Sequence, residues 1–448
     1  MIPTIAYSSW ATRRQGRLQG PVWPSKSATR RFRAQSGAYG LETALLSLSR
    51  KAIKTGVYWG GMVAAPSEGF AVLWWLGLVC LSLSICGAIY ACAADFAVRR
   101  FLRRPTLPPS AFPTVCILKP LHGDEPGLYE NLESLCRQDY PGVVQMVLGV
   151  QNPNDAAIAV VHALQAAYPQ SDLTLVIDPT SHGANRKVSN LINMASRARA
   201  EVLVISDIDV RAGPDHLKQI VATLEQPKVG LVTCLYRGRS VGGFWSTLAA
   251  MDVNYRFTPS VVIGLMLGIA RPCLGPTMAL RSALLDEIGG FHRLSNLLAD
   301  DYELGRAVRD RGYDVVFPPS LIEHVCPEAS AREMLVHELR WARTVGLIEP
   351  VGYAGSAITH FLPLAMIGAA FMGFTGWSVE VLAAVLAIRL GLIVHLSRMI
   401  GSERPALWLA PFRDVLSFAV FITAFLGDRV EWRGTRLRVR RDGAVIDD

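Results

Sequence analysis

The chain has 448 residues, enough for more than one domain, and is 51% hydrophobic with a mean hydropathy of +0.28, which excludes a wholly disordered chain and an ordinary soluble one. Its net charge of +8 sits at one end: residues 1–61 hold ten Lys/Arg against Glu42 alone, whereas residues 62–448 hold 35 Lys/Arg and 36 Asp/Glu. A near-neutral body without a basic patch interleaved with aromatics excludes a nucleic-acid-binding protein. The eight cysteines form no C-x-x-C pair, and Cys80, Cys86 and Cys92 fall in one apolar run. That usage argues for reduced, packed thiols in a cytoplasmic domain and against a disulfide framework or zinc site.

Residues 1–61, rich in Ser, Gly and Arg, read as a disordered basic extension, and Met62 offers an alternative start. Residues 70–94 carry no charge across 25 positions, ample for a transmembrane helix and too long for a signal-peptide core. The anchor is expected over 62–97. Arg99, Arg100, Arg103 and Arg104 follow it and mark a cytoplasmic flank. After a Pro-rich linker at 105–113, apolar strand candidates fall at 114–119, 144–150, 173–177, 202–206, 229–234 and 277–280. Helical stretches lie near 126–138, 154–168, 187–199 and 214–226. Strands alternating with helices predict an α/β domain over 98–355 with a doubly wound, mostly parallel sheet.

Residues 257–274 are apolar but bracketed by Pro259 and Pro272, too short to span, and read as a buried helix or a membrane-surface element. C-terminal membrane segments are expected over 356–427. Spans are predicted at 357–377 and 379–397. Residues 406–427 carry Arg413 and Asp414 mid-run, and the tail 428–448 is basic and so cytoplasmic. Two spans return the chain to that side, so 406–427 is expected to be interfacial or re-entrant.

Val202–Ile205 suits a buried parallel strand and ends in Asp207-Ile208-Asp209. Two carboxylates at i and i+2 beyond such a strand can share one hard cation, Mg²⁺ or Mn²⁺, with a substrate diphosphate. A solvated turn or helix cap is the plainer alternative. Further polar stretches are Lys119–Pro126, Gly183–Asn190, Leu298–Leu304 and the helical His337–Arg343. Adjacent Asp300 and Asp301 would also serve simply to complement a helix dipole.

In this order the stretches KPLHGDEPGLYENLESLCRQDYP (119–141), GANRKVSNL (183–191), SDIDV (206–210), ADDYELGRAVRDRGY (299–313) and HELRW (337–341) resemble the lipid-directed inverting glycosyltransferases of the GT-A fold. More closely, the chain is similar to the ceramide glucosyltransferase family and its bacterial relatives in hopanoid biosynthesis. The resemblance implies a GT-A nucleotide-sugar transferase domain held in the bacterial inner membrane by N- and C-terminal helices, with the catalytic domain in the cytoplasm. It places the nucleotide site on Asp124 and Glu125, with Lys187, Asn190 and Asp207, and the divalent metal on Asp207 and Asp209. Asp301 is the implied catalytic base, and His337, Arg340 and Trp341 fall on a motif whose first position is usually Gln or Arg. The expected partners are a UDP-sugar donor and a membrane-lipid acceptor. N-acetylglucosamine transfer to a hopanoid polyol is the favoured reading, glucose transfer to ceramide the second. A non-catalytic protein binding nucleotide-sugar or lipid is the alternative of another class.

Overall fold

Strand β1 (Val115–Pro120) is buried at every position, and β2 (Val144–Val150) at all but its first. Successive residues alternate between two apolar layers: Val115 and Ile117 pack into one, Cys116 and Leu118 into the other. A strand covered on both faces must lie inside a helix-flanked sheet. The remaining strands of that sheet are β3 (Asp172–Ile177), β4 (Val202–Ser206), β6 (Val229–Thr233), β8 (Thr277–Arg281) and β9 (Asp314–Val316). Their order is β3-β2-β1-β4-β8-β6-β9, with β8 alone running against the others. Every expected strand is present, and the mostly parallel sheet is as read. A second sheet that sequence did not reveal, β5-β10-β7, joins β5 (Val210–Arg211), β10 (Leu321–Cys326) and β7 (Leu235–Ser240).

This computed structural model describes residues 68–106, 108–403, 405–427, 429–432, 435–439 and 445–447. The extension 1–61 and the start at Met62 lie outside them. From Leu73 onward the described residues form one unit. Its helices, with the few residues that precede Leu73, are α1 (Glu68–Leu102), α2 (Leu128–Cys136), α3 (Ala157–Ala167), α4 (Arg186–Ala195), α5 (His216–Leu224), α6 (Phe244–Asp252), α7 (Thr258–Met266), α8 (Ser282–Glu287), α9 (Asp300–Asp310), α10 (Ala331–Ile348), α11 (Pro350–Gly355), α12 (Phe361–Phe371), α13 (Gly376–Ile400) and α14 (Ala410–Ala424). A π-turn at Val253–Phe257 joins α6 to α7, whose residues Thr258–Gly264 are buried. Residues 257–274 therefore begin as a buried helix.

Among the described residues, three helices are long and apolar enough to cross a membrane: Ala71–Leu102, Gly376–Ile400 and Leu407–Ala424. Two segments take shapes that the sequence reading did not give them. The stretch 357–377 is not one straight helix: Pro350–Thr359 and Phe361–Phe371 meet at 68°. Residues 406–427, set aside because of Arg413 and Asp414, form a helix whose charges are paired inside the protein. Arg413 meets Glu338 at 2.7 Å and Asp252 at 2.9 Å, and Asp414 takes two hydrogen bonds from Arg389 of α13 at 2.7 and 2.8 Å. A charge satisfied this way no longer bars an apolar helix. Helix α1 packs closely on the bent pair. Ser84 donates to the Phe361 carbonyl at 2.7 Å, and a Cβ on Gly87 would collide with the Ile358 carbonyl oxygen. The basic tail folds back as a small antiparallel sheet of β11 (Arg429–Trp432), β12 (Thr435–Val439) and β13 (Val445–Asp447).

Candidate active site

The D-x-D turn leaves the carboxyl end of β4 and is held by its backbone. Lys119, the fifth residue of β1, is fully buried and donates to Ser206 Oγ at 3.2 Å, to the Val210 carbonyl at 3.3 Å, and to the Asp207 carbonyl. Asn131 donates to the Ile208 carbonyl at 3.2 Å. The Asp207 N–H donates to Pro276 O at 3.0 Å, and Val325 N–H to Asp209 O at 2.8 Å. Burial lowers the Lys119 pKa to about 8, against the pull of Asp209, Asp207 and Glu125. With the backbone satisfied elsewhere, the two carboxylates are left for other work.

Asp207 meets Lys187 at 2.7 Å. Lys187 stands in the first turn of α4, whose cap Asn185 accepts from Val188 N–H at 3.0 Å. Burial opposes its charge, yet Asp207 and Asp300 together raise its pKa. For Asp207 the balance falls the other way, and burial keeps its pKa above the ordinary value despite Lys187. Asp209 faces His324 of β10 at 3.4 Å, a neighbour placed by the antiparallel pairing of His324 with Val210. Burial pushes Asp209 up, but His324 and Lys119 outweigh it and bring it to about 2. His324 is correspondingly raised by Asp209 against burial.

The two acids opening α9 differ in their surroundings. Asp300 is buried, 3.4 Å from both Asn185 Nδ2 and Lys187 Nζ, which ties the start of α9 to the start of α4. Among the described residues Asp301 accepts only its neighbour's N–H, from Tyr302 at 2.8 Å, and it lies against Gly275. Burial and the adjacent Asp300 raise the Asp301 pKa to about 6, with Lys187 opposing. A carboxylate poised near neutrality beside open space is suited to accepting a proton.

Helix α10 begins with a reciprocal cap: Ser330 Oγ accepts from Glu333 N–H at 3.2 Å, and Glu333 accepts from Ala329 N–H at 2.9 Å. Three and four residues apart, His337, Arg340 and Trp341 share one helical face. His337 packs edge-on against Trp341 with ring centres 4.4 Å apart, and its Nδ1 lies 2.7 Å from Glu328. Lys119 heads a polar stretch marked in the sequence, but Glu328, just beyond β10, and His324 escaped the sequence reading. Each is a lone polar residue with no local spacing to mark it, and only the strand pairings bring it to the site.

A cavity of about 630 Å³ collects these groups. Glu125, Lys187, Asp207, Asp209, Asp301, His337, Arg340 and Trp341 line it, with His324, Glu328 and Tyr302, while Phe257, Val261, Leu274, Val345 and Ile348 give it an apolar side. Two expected residues stand apart. Asp124 is exposed and does not line the cavity, because Asp155 pins the preceding turn by accepting from Gly123 N–H at 2.8 Å. Asn190 lies beneath β2, donating to the Gly149 carbonyl at 2.8 Å, and is not among the residues lining the cavity.

The donor set fits a divalent cation in part. No cluster of three or more His, Cys, Asp and Glu among the described residues is placed to hold a metal. Asp209 Oδ1 is nonetheless buried without a hydrogen-bond partner among them, beside the Asp207 carboxylate. Two such carboxylates suit a small hard cation that draws its other ligands from a diphosphate and water.

Residues 79–445 match the profile of glycosyl transferase family 21. Ceramide glucosyltransferase 1 of Caenorhabditis elegans is 23% identical over 424 residues, spanning 90% of this chain and 87% of its own. Ceramide glucosyltransferase 3 of the same organism is 23% identical over 353 residues, 75% of each chain. Among solved structures, mannosyltransferase PcManGT from Pyrobaculum calidifontis in complex with GDP-Man and Mn²⁺ is 22% identical, with a TM-score of 0.46, covering 78% of this chain and 98% of that one.

Proposed function

The chain belongs to glycosyl transferase family 21, and from that premise we propose that it is a membrane-bound inverting enzyme moving glucose from UDP-glucose to the hydroxyl of a ceramide-type lipid. It is a glycosyltransferase, and its mixed seven-stranded sheet is a GT-A domain. The observation that carries the mechanism is a contrast between two acids that both line the cavity: Asp300 is engaged by Asn185 and Lys187, whereas the Asp301 carboxylate takes the N–H of its neighbour Tyr302.

In this reading Asp301 takes the proton of the acceptor hydroxyl as its oxygen bonds to the anomeric carbon. The bond from that carbon to the diphosphate breaks on the opposite face, so one displacement inverts the configuration. Arg340 and His337 meet the charge that develops on the leaving diphosphate. Asp207 and Asp209 would hold Mg²⁺ or Mn²⁺, which when bound supplies further positive charge to the diphosphate. Glu125 lines the nucleotide side, and the apolar side from Phe257 to Ile348 receives the lipid. A lipid stays in the bilayer because each buried methylene contributes about 0.8 kcal/mol. The candidate spans and the Arg99–Arg104 cluster support a catalytic domain on the cytoplasmic side of a bacterial inner membrane.

The relatives named above are ceramide glucosyltransferases, so they favour the second acceptor of the sequence reading. The hopanoid polyol with N-acetylglucosamine gains no support from them. Membranes containing the protein, with Mn²⁺ or Mg²⁺, should be offered radiolabelled UDP-glucose or UDP-N-acetylglucosamine with ceramide or a hopanoid polyol. Label in ceramide from UDP-glucose supports the proposal. Label in the hopanoid alone replaces the acceptor. UDP-sugar binding without any labelled lipid returns the non-catalytic alternative.

A further inference from the structure

Resting on the transferase reading, we propose that the His337–Glu328 pair couples capture of the nucleotide-sugar diphosphate to uptake of a proton. Glu328 is 7% exposed, and its Oε1 lies 2.7 Å from His337 Nδ1. A carboxylate only accepts, so the imidazole must donate its Nδ1–H there. That fixes the ring and leaves Nε2 as the nitrogen whose protonation changes. Both side chains line the cavity beside Arg340.

The charges around this imidazole are balanced against a second proton while the cavity lacks an anion. Burial holds the His337 pKa below its ordinary value, Glu328 opposes, and Arg340 on the same helix and His324 from β10 add to the lowering. Asp209 stands behind His324 at 3.4 Å. Of the other acids on α10, Glu338 is engaged by Arg413 at 2.7 Å and Glu333 by the helix cap. The remaining oxygen of Glu328, Oε2, is buried with no hydrogen-bond partner among the described residues, so the carboxylate has capacity left to stabilise an imidazolium. A diphosphate diester brings two negative charges into the same cavity. It cancels the repulsion from Arg340 and His324 and favours the charged ring. The second proton then sits on Nε2 as a charge-assisted donor to the phosphate oxygens.

The coupling depends on residue type. Gln at this position has no proton to gain, and Arg is charged throughout. Histidine oriented by a buried acid is the choice whose charge follows the ligand. By linkage, donor affinity must then rise as pH falls toward the point where the free ring protonates.

The test is calorimetric titration of UDP-glucose into detergent-solubilised full-length protein with saturating Mn²⁺, without acceptor. UDP-glucose carries a diphosphate diester with no proton of its own to exchange near neutrality. Buffers of different ionisation heat report the protons taken up. The unmodified protein should take up a substantial fraction of one proton at pH 7.5, and affinity should rise by up to about tenfold per pH unit from pH 8 to 6.5. His337→Gln should bind with that uptake abolished and the pH dependence flattened. Glu328→Gln, which keeps the shape but removes the counter-charge, should reduce uptake at the same pH. Equal uptake in the parent and either variant overturns the coupling and leaves the transferase reading intact, as does a parent that binds without uptake. If the parent does not bind UDP-glucose at all, the transferase reading itself fails and the coupling falls with it.

Discussion

A Cβ on Gly275 would lie 3.1 Å from Asp301 Oδ2, so this glycine, two residues before the β8 strand, sets the room available to the proposed base. The methyl of Gly275→Ala would push the carboxylate aside by a few tenths of an ångström. Misplacement on the ångström scale costs about a hundredfold in rate, so about a tenfold loss is expected here. The rate of lipid glycosylation should fall while the dissociation constant for UDP-glucose stays within twofold. A loss confined to donor binding would remove Gly275 from the neighbourhood of the reaction.

Asp301→Asn should keep UDP-glucose binding and abolish transfer. In the unmodified protein the base must be ionised, so the transfer rate should rise with pH through about 6 and level off above 7. The same shift acts on stability with opposite benefit. A carboxyl whose folded pKa is raised holds its proton more tightly than the unfolded chain does, so ionisation works against folding. Stability is gained as pH falls from about 6 toward 4. Asp301→Asn is therefore expected to melt a few degrees above the parent at pH 7.5, with the difference vanishing near pH 4. Thermal melting at the two pH values checks the sign.

Lys119→Met removes a buried donor shared by Ser206, Asp207 and Val210. Orphaned buried acceptors cost about 1–3 kcal/mol each, so a loss of at least about 2 kcal/mol is expected. UDP-glucose affinity should fall as well, because the D-x-D turn loses the cation that holds its backbone. Melting temperature and calorimetric affinity measured on one preparation separate the two effects. Loss of stability with unchanged affinity would confine Lys119 to the fold.

Arg413→Ala should destabilise the protein by about 3–5 kcal/mol, because it strands the Glu338 carboxylate inside the protein and leaves Asp252 to Arg256 and Ser417 alone. Arg413→Ala combined with Glu338→Gln should recover part of that loss. A double-mutant cycle on melting in detergent reads the coupling, and strictly additive losses would show that the two do not interact.

The main sheet was legible because buried strands announce themselves as apolar runs, and the D-x-D turn because it ends one. The second sheet was not: β5 has two residues, and β10 mixes Glu323 and His324 into its run. Its pairings bring His324 to Asp209 and carry the chain on to Glu328, so these two members of the polar wall of the cavity are products of tertiary contacts. The last apolar segment was hard to read for the opposite reason. Arg413 and Asp414 signalled a surface when read locally, because their partners Asp252, Glu338 and Arg389 are distant in sequence. Asp124 and Asn190 were assigned by position in a motif, and the turn held by Asp155 and the hydrogen bond to Gly149 give them other places.

The contacts of Arg413 also bear on how this protein can be divided. Hydropathy draws a line near residue 355, with chemistry before it and anchorage after it. The folded unit does not respect that line, because Arg413 beyond it pairs with Glu338, which stands between His337 and Arg340 on the helix proposed to meet the diphosphate. A chain ending at 355 would keep the named site residues and lose the cation that pairs with Glu338 of their helix. The C-terminal helices are thus not an interchangeable tether. They belong to the catalytic body, and grafting the cavity onto another anchor would require carrying them along.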